Sequence, residues 1–141
     1  MVRVAYSLLL YILSPFIFLQ LWLRGREASA YRKRWNERLG FYRMPLQTGN
    51  LIIHCASVGE IMAASPLIKQ LMARFPEHNI TITCNTPTGS DQIAKIFGNS
   101  LQQLYLPLDF HGSVKRFLNK LQPAAIIILE TELWPNLLLQ A

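Results

Sequence analysis

The sequence is poor in charged residues and in cysteine, and each shortage excludes a class of protein. Of its 141 residues, 16% are charged and two are cysteine. Two cysteines exclude a disulfide-rich scaffold, and a hydrophobic fraction of 51% excludes a disordered chain. The sequence also lacks a GxGxxG fingerprint, a GxxxxGK[ST] phosphate loop and the ligand spacing of a metal site. We therefore expect one globular domain with a hydrophobic core and no metal.

Acidic residues are scarce in the first 50 positions, and the net positive charge lies there. This part has eight basic and two acidic residues, whereas residues 51–141 have six of each. A net charge of +6 that is confined to one end favours contact with an anionic membrane surface over binding of nucleic acid.

No charged residue occurs between positions 4 and 23, and most of these twenty residues are apolar. Twenty apolar residues are about enough to cross a bilayer as a helix. We predict a hydrophobic membrane anchor over residues 1–25 and a basic juxtamembrane segment over residues 26–50. The positive-inside rule places the basic segment and the rest of the chain in the cytoplasm. The residues expected at the lipid surface are Arg24, Arg26, Arg32, Lys33 and Arg34.

The apolar run is also compatible with three structures that do not span a membrane. A cleaved signal peptide would have a shorter apolar core and its positive charge at the start. A helix that lies in the membrane interface is compatible with Ser14, Pro15 and Gln20. A helix buried in a soluble domain is the third alternative. The charges of residues 31–38 are equally explained by a solvated helix.

Strand-like runs alternate with helical patterns from residue 51 onward. Apolar and β-branched runs predict strands at 51–56, 79–84, 101–106 and 124–129. Helices are predicted at 60–74, from the turn at 86–89 to about Phe97, at 114–121 and from about 133. This spacing is typical of βαβ units, so we predict a Rossmann-like α/β domain with a parallel sheet over residues 51–141. We also expect the last strand to leave an apolar edge exposed.

Small polar residues follow the first two strands, where a parallel sheet binds its ligands. After the first strand, Ser57, Gly59 and Glu60 begin a helix whose backbone amides attract anions. The alternative is that Glu60 only complements the helix dipole. After the second strand, Thr88 and Gly89 fit either a phosphate or sugar site or an ordinary helix cap.

Two carboxylates, Glu130 and Glu132, follow the fourth strand. A partly desolvated carboxylate at this position suits proton transfer, and the alternative is a capping or paired structural acid. His54 lies inside a strand, where we expect a satisfied core histidine. Cys55 and Cys84 end neighbouring strands and are expected to stay thiols in the cytoplasm.

Several segments together resemble the Kdo transferases. These are ASVGE at 56–60, TPTG at 86–89, YLPLD at 105–109 and ETELWPN at 130–136, preceded by the apolar run and YRKRWNER at 31–38. These bacterial enzymes transfer 3-deoxy-D-manno-octulosonic acid (Kdo) from CMP-Kdo to the lipid A precursor, lipid IV(A). The resemblance covers essentially the whole chain.

The resemblance implies a GT-B glycosyltransferase on the cytoplasmic face of the bacterial inner membrane. It implies that this N-terminal half binds lipid IV(A) and that a C-terminal half binds CMP-Kdo. Glu60 would be the catalytic base and Glu130 its partner acid, in an inverting transfer without metal or other cofactor. The residues expected to line the acceptor site are Ser57, Gly59, Thr88, Gly89 and Glu132.

The donor-binding half that the resemblance implies is absent from these 141 residues. We therefore expect the chain alone to have no transferase activity. The alternative function is a non-catalytic, membrane-anchored module that binds lipid or a partner protein. A transport or insertion factor is a further alternative, and only the apolar helix favours it.

Overall fold

A parallel four-stranded sheet forms the centre of the structure. The computed structural model describes residues 2–129, 132 and 134–141. The strand order is β3–β2–β1–β4. The strands are β1 Leu51–His54, β2 Ile80–Cys84, β3 Gln102–Tyr105 and β4 Ala125–Ile128. Leu51 of β1 pairs with Ile80 of β2 on one side and with Ala125 of β4 on the other. The predicted parallel α/β fold is confirmed.

Helices cover both faces of this sheet. They are α1 Val2–Glu27, α2 Trp35–Arg38, α3 Val58–Arg74, α4 Pro87–Phe97, α5 His111–Leu121 and α6 Pro135–Leu138, with a 3₁₀ turn at Ser29–Arg32. Ile53 and Ile82 pack toward α3 and α4, whereas Ile52 and Leu104 pack toward α5 and α6. Because successive strand residues point to opposite faces and both faces are covered, the central strands β1 and β2 are buried at almost every position.

The helix α5 begins three residues earlier than the sequence predicts. Phe110 adopts an extended backbone and caps the helix, and its carbonyl accepts the first helical hydrogen bond from the Val114 N–H at 3.0 Å. The apolar periodicity starts only at Val114, because His111 and Gly112 are not buried. The pattern of burial therefore hides the first turn.

The strand β4 pairs with β1 alone within the described sheet. Ile126 and Ile128 pack against the core on the α5 side. Ala125 and Ile127 point to the opposite face and are exposed. The apolar edge that the sequence predicts is present there.

Two serine–proline pairs occur inside helices α1 and α3. Pro15 and Pro66 have no N–H to donate to the carbonyl four residues earlier. The hydroxyl of Ser14 donates to the Tyr11 carbonyl at 2.7 Å, and that of Ser65 to the Met62 carbonyl at 2.9 Å. The carbonyl that each proline leaves without its backbone donor is thus hydrogen-bonded, and both helices continue through the proline.

The predicted apolar helix is present at the N-terminal end. Within the part of the chain that the structure describes, residues Val4–Arg26 form the one helix long and apolar enough to cross a membrane, with a mean hydropathy of 1.9. The segment that follows it returns across the carboxyl ends of β2 and β3, where Arg38 contacts Asn85 and Glu37 contacts Tyr105. It thereby brings the basic residues of positions 31–38 to the edge of the sheet where the site residues lie.

Candidate active site at the carboxyl edge of the sheet

The strand order reverses beside β1, which lies between β2 and β4. Ligands of open parallel sheets bind beyond the carboxyl ends of the strands at such a switch point. The loops that follow β1 and β4 meet here, because the Leu129 N–H donates to the His54 carbonyl at 3.1 Å. We call Ser57, Glu60, His54 and Glu132 the switch-point cluster.

Two hydrogen bonds orient the carboxylate of Glu60. Its Oε2 accepts from the Ala56 N–H at 2.8 Å, and its Oε1 accepts from the Ser57 hydroxyl at 2.7 Å. The Ser57 oxygen in turn accepts from the Glu60 N–H at 3.2 Å. This arrangement is a variant of the capping box at the start of α3, in which the glutamate accepts from the Ala56 N–H and not from that of the N-cap residue Ser57. This structural role comes in addition to the helix-dipole role that is the alternative for Glu60, yet each oxygen of a carboxylate has a second lone pair for another donor.

An open groove runs from Glu60 along α3. It measures about 420 Å³ and is lined by Ser57, Gly59, Glu60, Ala63, Ala64, Leu67 and Leu129. This volume falls in the range of small-ligand sites. A Cβ on Gly59 would meet only the Ser57 hydroxyl, at 3.8 Å, so packing does not require glycine here. The missing side chain instead leaves the helix N-terminus open to a ligand.

His54 and Glu132 join the loops at the other side of the cluster. The His54 ring is fully buried, with 0% of its side chain exposed, and its Nε2 lies 3.1 Å from Glu132 Oε2. The indole N–H of Trp134 donates to the same oxygen at 3.0 Å. The Thr83 hydroxyl lies 2.9 Å from His54 Nδ1. Glu132 therefore has a fixed position at the end of β4.

Burial lowers the pKa of His54, although Glu132 and Glu60 favour the protonated ring. A neutral imidazole donates from one nitrogen and accepts at the other. Both contacts are satisfied when Nε2–H donates to Glu132 and Nδ1 accepts from the Thr83 hydroxyl. His54 thus links two strands to the loop after β4 without adding a charge.

Thr88 and Gly89 lie at the start of α4. The Thr86 hydroxyl accepts from the Gly89 N–H at 3.1 Å, which is an ordinary helix cap. Gly89 is buried, and a Cβ there would lie 3.3 Å from both Cys84 and Ile61. Packing therefore explains this glycine, whereas Thr88 is exposed beside it.

The basic segment is attached to the sheet through Glu37. Arg34 donates to both Glu37 oxygens, at 2.6 and 2.7 Å, and the second oxygen also accepts from the buried Tyr105 N–H at 3.0 Å. The guanidinium groups of Arg34 and Arg38 lie 4.2 and 4.5 Å from the Tyr105 ring centroid. Arg38 also donates to the Asn85 carbonyl at 2.9 Å. Arg34 is thus held by the protein, whereas Arg24, Arg26, Arg32 and Lys33 are exposed.

Asp109 of the YLPLD segment has a structural position. Its two oxygens accept from the Asn136 and Leu137 N–H groups, both at 2.9 Å. The hydroxyl of Tyr6 donates to it as well. Burial raises the pKa of Asp109, and these three donors oppose that rise. The carboxylate thereby connects the loop after β3 to α6 and α1.

The second predicted catalytic acid, Glu130, lies outside the described residues, so its position stays a prediction. Within residues 2–129, 132 and 134–141, no group of three histidine, cysteine, aspartate or glutamate side chains forms a possible metal site. Cys55 and Cys84 are free and buried, and burial raises their pKa values to about 12 and about 11. Both are therefore thiols at neutral pH.

The partners of His54, Glu37 and Asp109 could not be recognised from the sequence. Each partner is distant in the chain: His54 and Glu132 are 78 residues apart, and Glu37 and Tyr105 are 68 apart. These contacts depend on the strand order, which the periodicity of the sequence does not encode. The one available signal was that all three residues lie in or next to the segments that carry the resemblance.

Comparisons with known proteins identify the family of this chain. Residues 33–141 match the family model described as 3-Deoxy-D-manno-octulosonic-acid transferase (kdotransferase). A 3-deoxy-D-manno-octulosonic acid transferase of Haemophilus influenzae is 46% identical over 98% of this chain and 33% of its own length. One from Bordetella pertussis is 34% identical over 99% of the chain and 34% of the relative. A probable mitochondrial 3-deoxy-D-manno-octulosonic acid transferase from Arabidopsis thaliana is 35% identical over 96% of the chain and 31% of its own length.

The matches cover the chain from end to end but only part of each relative. The chain spans about a third of the length of the curated relatives that it matches. The family model includes every residue of the switch-point cluster. The chain belongs to the 3-deoxy-D-manno-octulosonic-acid transferase family and has the fold of a glycosyltransferase N-terminal domain.

Proposed function

We propose that this chain is the acceptor-binding part of a transferase that moves Kdo from CMP-Kdo to lipid IV(A), with Glu60 as the base. The observation that carries the proposal is the position of Glu60 at the switch point. Its carboxylate is oriented by the Ala56 N–H and the Ser57 hydroxyl and lines an open groove. A base that is held at the mouth of a groove is positioned to meet an acceptor hydroxyl.

The chemistry is a single displacement with inversion. Glu60 takes the proton of the acceptor hydroxyl while the acceptor oxygen forms a bond to the anomeric carbon of Kdo. The bond between that carbon and the CMP phosphate oxygen breaks, and CMP leaves with the electron pair. Neither proton transfer nor displacement of a phosphate leaving group needs a metal in this scheme. Glu130 is proposed as the partner acid.

The neighbouring residues keep this region in place. Glu132 is held by His54 and Trp134 at the end of β4, so the two loops stay together when an acceptor enters the groove. The donor is proposed to bind to the part of the enzyme that corresponds to the remaining length of the relatives. On that basis the 141 residues alone do not transfer Kdo, and we place them at the cytoplasmic face of the inner membrane.

Substitution of the proposed catalytic base tests this assignment. The protein used is a full-length transferase, as long as the relatives, that contains these 141 residues. Glu60→Gln keeps the size and the hydrogen-bonding oxygen but removes the base. We expect kcat to fall about 10²- to 10⁴-fold, measured as CMP released from CMP-Kdo. Glu77→Gln, which changes an exposed acid 3.6 Å from His78, is the matched control. Normal turnover of Glu60→Gln would exclude Glu60 as the base.

One observation favours a second function, a non-catalytic module that binds lipid. Both Glu60 oxygens already accept hydrogen bonds within the capping box, which a purely structural glutamate would also do. This module would bind lipid IV(A) in vesicles saturably, and Glu60→Gln would leave that binding unchanged. Loss of turnover with retained binding supports the transferase instead.

A further inference from the structure

The helix α1 lies against the domain from its first turns to beyond its middle. Its less exposed residues recur every three or four positions and form what we call the docked face: Tyr6, Ser7, Leu10, Ser14, Ile17, Phe18, Leu21 and Gly25. At 1.5 Å per residue, this face extends over about 28 Å. That length is close to the thickness of the hydrocarbon core of a bilayer, about 30 Å.

Polar contacts hold the first part of the docked face. The Ser7 hydroxyl lies 3.3 Å from Asn136 Oδ1 and 3.2 Å from Asn136 Nδ2. The Tyr6 hydroxyl donates to Asp109. These contacts connect α1 to the loops that follow β3 and β4.

Aromatic contacts hold the middle and the second half. The ring of Tyr11 stacks on Phe110 with centroids 5.2 Å apart. Phe18 lies 6.4 Å from Phe110 and 5.7 Å from Trp35. The domain therefore contacts the helix from its first turns to beyond its middle.

This packing is incompatible with a helix that crosses the bilayer. A spanning α1 would place Asp109, Asn136 and the loops around them at the depth of the acyl chains. Irregular backbone that faces lipid does not occur within the hydrocarbon region, and a carboxylate is costly there. A docked α1 is therefore not a spanning helix.

The opposite face of α1 is exposed and apolar. Leu8, Ile12, Phe16, Leu19 and Leu23 are spaced by four, four, three and four residues, so they lie on one side of the helix. We call them the outer face, and Ile12 is 69% exposed. The serines of the apolar run are on the docked face. A continuous apolar surface of this length marks an interaction site.

We infer that α1 lies flat in one leaflet of a phospholipid bilayer, with its docked face on the domain and its outer face among the acyl chains. The charges at its end identify the partner as lipid. The ring of Trp22 lies 5.7 Å from the Arg26 guanidinium and 5.2 Å from that of Arg32. Tryptophan and arginine are typical of the headgroup level, and exposed Arg24 and Lys33 add charge that attracts anionic lipid.

The position of α1 gives this attachment a consequence for the site. The residues that hold it, Asp109, Phe110 and Asn136, follow β3 and β4 at the carboxyl edge of the sheet. The switch-point cluster lies at the same edge. The leaflet therefore lies along the edge that carries Glu60, whichever molecule binds there, and the inference goes beyond the proposed transfer reaction.

Nitroxide labels test the orientation. Single cysteines replace Leu8, Ile12, Phe16, Leu19 and Leu23 one at a time, in the full chain bound to vesicles of phosphatidylethanolamine and phosphatidylglycerol. Accessibility to oxygen and to a water-soluble nickel complex measures depth. We expect all five labels at one shallow depth. The wild-type chain, whose two cysteines Cys55 and Cys84 are buried, is treated in the same way and measures the background labelling.

A depth that passes through a maximum, with positions 8 and 23 near opposite surfaces, would overturn the inference in favour of a spanning helix. Labels shielded from oxygen and broadened by spin–spin coupling would overturn it in favour of a second copy of this chain. A label at Ile17→Cys, on the docked face, should be shielded from both reagents. Exposure of that label to oxygen would show that α1 leaves the domain.

The charge dependence is tested with the double variant Arg26→Gln, Lys33→Gln. Its partitioning onto the anionic vesicles should fall about fivefold for each residue. Lys69→Gln, which changes an exposed cation on α3, is the matched control and should bind as the wild type does. Equal binding of the double variant would refute the headgroup contact. None of these measurements depends on transfer activity, so they fail or succeed separately from the proposed function.

Discussion

Replacement of Glu37 by alanine tests how the basic segment is attached to the sheet. Glu37 is 8% exposed, and its carboxylate accepts from Arg34 and from the Tyr105 N–H. Its loss leaves a buried amide without an acceptor, which costs about 1–3 kcal/mol. The ion pair adds about 1 kcal/mol, because the Arg34 side chain is 29% exposed and partly screened.

The free energy of unfolding should therefore fall by about 3 kcal/mol in Glu37→Ala. For a chain of this size, that loss corresponds to a fall in Tm of about 10 °C. Urea unfolding followed by circular dichroism, with every variant in the same detergent, measures the change. The slope of the unfolding free energy against urea should stay constant.

Two companion variants separate the contributions. Glu37→Gln keeps an oxygen for the Tyr105 N–H and loses the charge, so it should cost about 1 kcal/mol. Glu77→Ala removes an exposed acid and should cost less than about 0.5 kcal/mol. If Glu37→Ala is no less stable than Glu77→Ala, the carboxylate does not attach the segment. If Glu37→Gln equals Glu37→Ala, the Tyr105 amide contributes nothing.

Three further predictions concern the site and its surroundings. Because burial lowers the pKa of His54, the unfolded chain binds a proton that the folded chain excludes. The free energy of unfolding should thus fall by up to about 1.4 kcal/mol per pH unit below pH ~6.5, and urea titrations of His54→Gln should lack this slope; an unchanged slope would contradict the assignment. Gly89→Ala should destabilise by about 1 kcal/mol, because its Cβ would be crowded, whereas Gly59→Ala should stabilise by about 0.5 kcal/mol and weaken lipid IV(A) binding. Thermal unfolding checks the two signs, and equal signs would refute the packing argument. Cys55 and Cys84, with pKa values of about 12 and about 11, should react with iodoacetamide only after unfolding, and fast labelling of the folded chain would contradict their burial.

The order of strands and helices in residues 51–141 could be predicted from the sequence, because both faces of the sheet are covered. Strands such as Ile80–Cys84 are then buried at every position, and helices such as Val58–Arg74 show their own period. The position of the Ser57–Glu60 loop at the carboxyl edge follows from the same alternation.

The contacts between distant segments could not be predicted in the same way. The charges of residues 31–38 fit a lipid surface or a solvated helix equally well, and only the fold shows that Glu37 pairs with Arg34 and with the Tyr105 amide. Similarly, His54 is indistinguishable from a core histidine until β4 is known to lie beside β1. The carboxyl edge was predictable, but the hydrogen bonds that organise it depend on strand order.

The strand order also determines when the switch-point cluster can form. The contact of His54 with Thr83 closes 29 residues of chain, whereas its contact with Glu132 closes 78. Contacts between residues that are far apart in sequence form slowly, because the chain loses conformational entropy before the contact stabilises it. We expect β1, β2 and β3 to associate first and β4 to complete the sheet. A chain emerging from the ribosome would therefore possess most of its core before it possesses its candidate active site.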